Sequence, residues 1–190
     1  MAKLVAQMDS IEAALKTAEA RAMKLVEGVS DAQANWRPDQ GQSWSICQCL
    51  DHLARTNLTY GAAFQRAVSD CRTKFRSTTT TIAPGAFSGW FIQSQDEPAR
   101  RKFKAPTKVL PAQSGSPQEH LQALLKSHET IRVLIQSGAS VDLNRLRFKN
   151  PFLGVLRFTV GTGLMIINAH ERRHLWQAEQ VKKASGYPTS

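Results

Sequence analysis

A chain of 190 residues, 42% hydrophobic and 21% charged, is about one globular domain's worth of sequence, long enough to bury a substantial core. No apolar run approaches the roughly 20 residues a membrane span needs, and Lys3, Asp9 and Glu12 break up the start where a signal peptide would be apolar, so the expected location is the cytoplasm. The net charge of +10 raises nucleic-acid binding. However, the densest basic stretch (Arg100, Arg101, Lys102, Lys104, Lys108) falls in a proline-containing segment without aromatic interleaving or a groove-reading helix, which leaves a solvated surface or a cationic mouth for a small anion.

Leu4, Met8, Ile11, Leu15, Ala18, Ala22, Leu25 and Val29 recur in steps of four and three, which predicts a bundle helix ending near Gly28. Ser45-Ile46-Cys47-Gln48 reads as a capping box that opens a second helix, from about Ser45 to Arg72. Its apolar stripe is Ile46, Leu50, Leu53/Ala54, Asn57, Gly61, Phe64 and Val68. His52 lies on the flank of that stripe, where it can reach a neighbouring helix. Cys47, Cys49 and Cys71 are odd in number and share this helix, so reduced thiols are expected rather than a disulfide framework. Cys49, one turn before His52, could approach a metal, but it also fits as a small core residue.

From Ser77 to Ser116 the chain carries the Thr78 to Thr81 run and Pro84, Gly85, Gly89, Pro98, Pro106 and Pro111, which excludes a long continuous helix. Phe87, Trp90 and Phe91 could form a short helical turn here that plugs the bundle. Ser116-Pro117-Gln118-Glu119 then opens a third helix with a capping box and proline at its first position. The stripe of that helix is Leu121, Leu124, His128, Ile131 and Ile135, and Ser137-Gly138 closes it. His128 fits a buried, hydrogen-bonded ring or an outer partner of a metal site better than a fourth ligand. His120 reads as a surface residue. A second long loop, Val141 to Phe158, contains Asn150-Pro151 before Thr159 caps the fourth helix.

The core-facing line of the fourth helix is Val160, Leu164, Ile167, His170, His174, Gln177 and Val181. Residues four apart share a helix face, so His170 and His174 can aim at one ion. Polar groups set into such a line need partners, because an unpaired buried one costs roughly 1–3 kcal/mol. The pair alone also fits two hydrogen-bonded histidines; His52, from a second helix, favours a metal.

The segments Asn35-Trp36-Arg37-Pro38, Ser43-Trp44-Ser45-Ile46 with His52-Leu53, and His170-x-x-Arg173-His174-Leu175-x-Gln177 resemble the DinB/YfiT-like family of metal-dependent enzymes, over most of the chain. The resemblance implies an all-α four-helix bundle, with a long crossover that lets the second and third helices run parallel. It also implies a divalent ion, zinc or nickel, on His52, His170 and His174. The position one turn before the first ligand is commonly acidic in that family and is Gln48 here, which argues against an acid/base role for it. Three neutral imidazoles leave the ion's charge uncompensated, which favours hydrolysis or transfer of a low-molecular-weight thiol to an electrophile. Asp51 and Glu171 each point about 100° away from the adjacent histidine, so a protein base is scarce and thiol transfer is the preferred expectation. Gln177, on the face of His174, could orient a ligand, and Arg173 could anchor an anion or pair with a carboxylate. The expected partner is a small anionic molecule or thiol, with no nucleic acid and no membrane; a homodimer is compatible with this. The alternative is a non-catalytic bundle in which an ion only ties two helices together.

Overall fold

The computed structural model describes residues 2–71, 81–99, 103–138 and 142–189. Arg72, Ser77, Thr78 to Thr80, Val141, and Arg100, Arg101 and Lys102 of the basic stretch lie outside the described residues. The described residues form α1 (Ala2–Val26), α2 (Asp31–Asn35), α3 (Ile46–Cys71), α4 (Ala86–Ser94), α5 (Pro117–Gly138) and α6 (Val160–Lys183). Helices α1, α3, α5 and α6 are the four predicted from periodicity, and they pack as a four-helix bundle. None of the helices is long and apolar enough to cross a membrane.

The helix ends follow their local chemistry. Gly28, two residues beyond α1, has φ of +67°, a left-handed conformation that glycine adopts without a Cβ clash. At the start of α3, Gln48 N–H donates to Ser45 Oγ and Ser45 N–H donates to Gln48 Oε1, both at 3.1 Å, the reciprocal bonding of a capping box. Thr159 caps α6 by accepting from Thr162 N–H at 3.2 Å, and α5 starts on a looser bond from Glu119 N–H to Ser116 Oγ at 3.5 Å.

Cross-helix neighbours fix the topology. Cys47 meets Gly115, Asn57 meets Ser127, and Gly61 faces Thr130 and Ile131; both numbers rise together, so α3 and α5 run parallel. Asn57 with Glu171 and Phe64 against Gly163 run the opposite way, so α3 and α6 are antiparallel. Parallel sequential helices need the long crossover, whose described residues carry α4 and a 3₁₀ turn at Thr107–Val109.

The core is divided. One apolar cluster holds Leu15, Phe64, Ile131 and Leu164, and the other holds Ala22, Leu50, Leu124 and Leu175. Between them each helix contributes polar side chains: Glu19, Thr56 and Asn57, Ser127 and His128, and Glu171. His128 places Nδ1 3.1 Å from Glu19 Oε1 and Nε2 3.1 Å from Glu171 Oε1. A ring with a carboxylate at each nitrogen is matched as an imidazolium, in which both nitrogens donate. Asn57 Nδ2 donates to Glu171 Oε1 at 2.6 Å and to Ser127 Oγ at 3.0 Å, and Arg132 donates to both Glu19 oxygens at 2.8 Å.

Several expectations need correction. The second long loop contains an antiparallel ribbon, β1 (Arg147–Lys149) and β2 (Arg157–Thr159), with Phe148 opposite Phe158. Strands of three residues are too short for alternation to register, and it is the pairing of the two phenylalanines over the core that forms them. The Phe87 to Phe91 segment lies within a nine-residue helix, α4 (Ala86–Ser94), longer than the expected turn. Phe91 and Ile92 pack on the core, whereas Phe87 and Trp90 remain 53% and 59% exposed, so α4 roofs a cavity rather than plugging the bundle. His120 is no open surface residue: its side chain is 14% exposed, with Nδ1 3.8 Å from Asp51. The short α2, capped by Ser30 and Gln33, was not expected.

Candidate metal centre

His52 comes from α3, and His170 and His174 come from successive turns of the antiparallel α6. Their ring centroids lie 4.4 Å (His170 to His174), 4.7 Å (His52 to His174) and 5.1 Å (His52 to His170) apart. One ligand atom from each falls within 4.8 Å of the others, and among the described residues this is the cluster of histidine, cysteine or carboxylate groups close enough to share an ion. Cys49 does not join it. It is packed in the second apolar cluster, where burial pushes its thiol pKa far up; burial likewise pushes the Cys47 thiol up to about 11.

The surroundings orient the rings. His52 Nδ1 lies 2.7 Å from the Val109 carbonyl oxygen. A carbonyl can only accept, so Nδ1 carries the proton and Nε2 keeps its lone pair. His174 Nδ1 bonds Gln177 Oε1 at 3.0 Å, with the same consequence. The wholly buried His170 Nδ1 has no hydrogen-bond partner, an orphan that a bound ion or water would resolve. Burial lowers the pKa of all three rings and is the main reason that His170 and His174 fall well below the ordinary value, with repulsion from neighbouring histidines and Arg173 adding to it at those two. They are neutral, the state in which imidazole binds a metal. Trp44 covers one side, stacked on His174 at 5.6 Å and tilted against His52 at 4.7 Å. This donor set therefore fits a divalent cation.

The histidines open onto a cavity of about 1010 Å³ roofed by α4 and residues 103–106. Arg173 and Gln177 line it. Arg173 donates to the Ser94 carbonyl at 3.2 Å, lies 5.3 Å from the Phe103 ring centroid, and has its pKa lowered by burial. Gln48 is tied to Ser45 and reaches the Ala112 carbonyl at 3.4 Å, a helix-cap position rather than one on the cavity. His128, on α5, does not line the cavity; it bonds Glu19 and Glu171, the latter the neighbour of His170 in sequence. Asp51 bonds Arg55 and the Ala112 N–H, and Glu171 bonds Asn57 and His128 through Oε1; neither carboxylate lines the cavity, although the charge of both partly offsets the lowering of the His52 pKa by burial.

Three participants were not singled out in the sequence. Trp44 stands inside a motif but had no assigned role. The Val109 carbonyl is a backbone group and leaves no side-chain signature. Thr56, one turn after His52, lines the cavity with a buried, partnerless hydroxyl; the step of four from His52 was its available signal.

Comparison with known proteins agrees with this architecture. The chain is 28% identical over 162 residues to the uncharacterized protein YuaE of Bacillus subtilis, covering 83% of this chain and 88% of that protein. Its fold matches that of YfiT from Bacillus subtilis, described as a probable metal-dependent hydrolase with an unusual four-helix bundle topology. That match has a TM-score of 0.61 and 18% identity, and covers 95% of this chain and 89% of the other. The sequence profile of the DinB superfamily matches residues 14–178, and the chain belongs to that superfamily.

Proposed function

We propose that this protein is a metal-dependent enzyme that holds a divalent ion, zinc or nickel, on His52, His170 and His174 and transfers a low-molecular-weight thiol to an electrophile. The observation that carries the reading is the trio of oriented, neutral imidazoles opening onto a large cavity, since a site meant only to tie helices together would be closed by a fourth protein ligand. When bound, the ion supplies positive charge that lowers the pKa of a thiol or water placed against it.

The choice of thiol transfer rests on the missing base. Among the described residues that line the cavity, Asp39 is the sole carboxylate, and Ser43 holds it by donating to Oδ2. A general base must come within about 2.6–3.2 Å of the proton it takes, and neither Asp51 nor Glu171 lines the cavity. In the transfer the S–H bond breaks and a C–S bond forms: the thiol adds across an activated carbon–carbon double bond of the acceptor, the proton ending on the neighbouring carbon, or the sulfur displaces a leaving group whose bond to carbon breaks and which takes up the proton. Arg173 is suited to hold an anionic group of either reactant, and Trp44 shields the histidines from water. Hydrolysis is a second reading, favoured by the description of YfiT. The buried free thiols of Cys47 and Cys49 suit a reducing compartment such as the cytoplasm.

Calorimetric titration of apo and metal-loaded protein with low-molecular-weight thiols tests the proposal. The expected result is saturable thiol binding to the loaded protein alone. Equal binding to both forms, or none to either, would reject thiol transfer.

A further inference from the structure

The cavity is far larger and more apolar than a small thiol requires. Pockets for drug-sized ligands run from roughly 300 to 1,000 Å³, and this one, at about 1010 Å³, stands at the top of that range. Its walls include Phe87, Trp90 and Phe91 of α4 and Phe152, Leu153 and Leu156 of the loop between β1 and β2. Phe87, Trp90 and Leu153 are substantially exposed. Exposed apolar side chains gathered around one cavity mark a binding surface. The charges are one-sided: Lys104 and Arg173 line the same space, against Asp39 as the sole described carboxylate, which Ser43 already holds.

We infer that the acceptor is an amphiphilic organic anion, with its acidic head near Arg173 and the histidines and a medium-length hydrocarbon or aromatic body between α4 and the loop carrying Phe152 to Leu156. A two- or three-carbon acid would leave most of these apolar walls wet, and a cation would meet like charge. This assignment deepens the proposed function and relies on it for the chemistry at the head, whereas the place of the tail depends on the walls alone. The thiol occupies the remaining space beside the histidines, which is why a single cavity of this size can hold both reactants.

The test is calorimetric titration of zinc-loaded protein with straight-chain carboxylates from butanoate to decanoate, below their micelle concentrations, with metal content measured on the same samples. Affinity should rise two- to fourfold per added methylene, about fourfold being the effect of burying one methylene completely, and binding should saturate at one molecule per chain. Alkylammonium ions of equal length should bind at least tenfold more weakly. Because Trp90 and Leu153 are exposed, Trp90→Ser and Leu153→Ser should fold normally; each should lower decanoate affinity severalfold and leave metal content unchanged. Affinities that do not change with chain length in fully loaded protein, or ammonium ions that bind as well as carboxylates, overturn the assignment and leave the enzyme reading standing. Loss of metal with the chain-length dependence intact does the reverse: it supports the tail site and removes the enzyme reading.

Discussion

Gln177 shows how much one neutral amide can decide. By accepting from His174 Nδ1 it fixes the tautomer and the ring angle, the role that outer partners of metal-binding histidines play. Gln177→Leu should therefore weaken metal affinity by roughly 10–100-fold with helical circular dichroism unchanged, as read by competition with a chromophoric chelator; unchanged affinity would reduce Gln177 to helix packing. His52 has an equivalent partner in the Val109 carbonyl. His52→Ala should lower metal stoichiometry about as much as His174→Ala, and full occupancy in either variant would remove the three-histidine assignment. Gln177 was legible because it lies three residues beyond His174, on the same face of α6. Val109 was not, because any residue supplies a carbonyl and only the crossover's path brings this one to His52.

Between helices, the polar layer is the feature that stability should report. Burial of the His128 ring opposes its charge, but hydrogen bonds and charge from Glu171 and then Glu19 outweigh it and raise its pKa above 6.5. The folded protein then holds this proton more tightly than the unfolded chain does, so the contribution is complete below about pH 6.5 and is lost as pH rises through the higher folded value. Glu19 behaves oppositely. Burial would raise it, but hydrogen bonds from Arg132 and His128 bring it below 4.5, so its contribution is present above that value and is lost as pH falls through the lower folded one. Denaturant midpoints measured against pH should therefore fall on the alkaline side in the wild type, and that fall should shrink in His128→Gln. His128→Leu should cost about 3–5 kcal/mol, the usual penalty for removing one partner of a buried charged group. Packing against α3 is equally tight at Gly163, where an added Cβ would come 2.5 Å from Phe64 Cζ and 2.9 Å from Phe148. Gly163→Ala should destabilise by about 1–3 kcal/mol through overpacking, read from the shift in urea midpoint.

For the molecule as a whole, the apolar clusters on either side of the polar layer bury the bundle helices whether or not an ion is bound. Chelation should accordingly leave most of the helical circular dichroism in place while lowering the melting temperature, since a ligand that binds only the folded state adds about 2.7 kcal/mol at a concentration of 100 times its dissociation constant; unfolding on chelation at room temperature would favour a structural ion. What the sequence determined by itself was whatever repeats along a helix or acts within a few residues: the four stripes, the Ser45 and Thr159 caps, the stop at Gly28, and His170 with His174 on one face. Helical periodicity and capping are local, so a single segment carries their full signal. The tertiary structure decided the rest. It made His128 an imidazolium between Glu19 and Glu171 instead of a partner of the metal ligands, because carboxylates from two other helices converge on that ring. It paired β1 with β2, whose three residues each carry too little alternation to be seen alone. It also turned α4 into the roof of a cavity, because the position of a short apolar segment depends on surfaces far away in the chain that its own sequence does not encode.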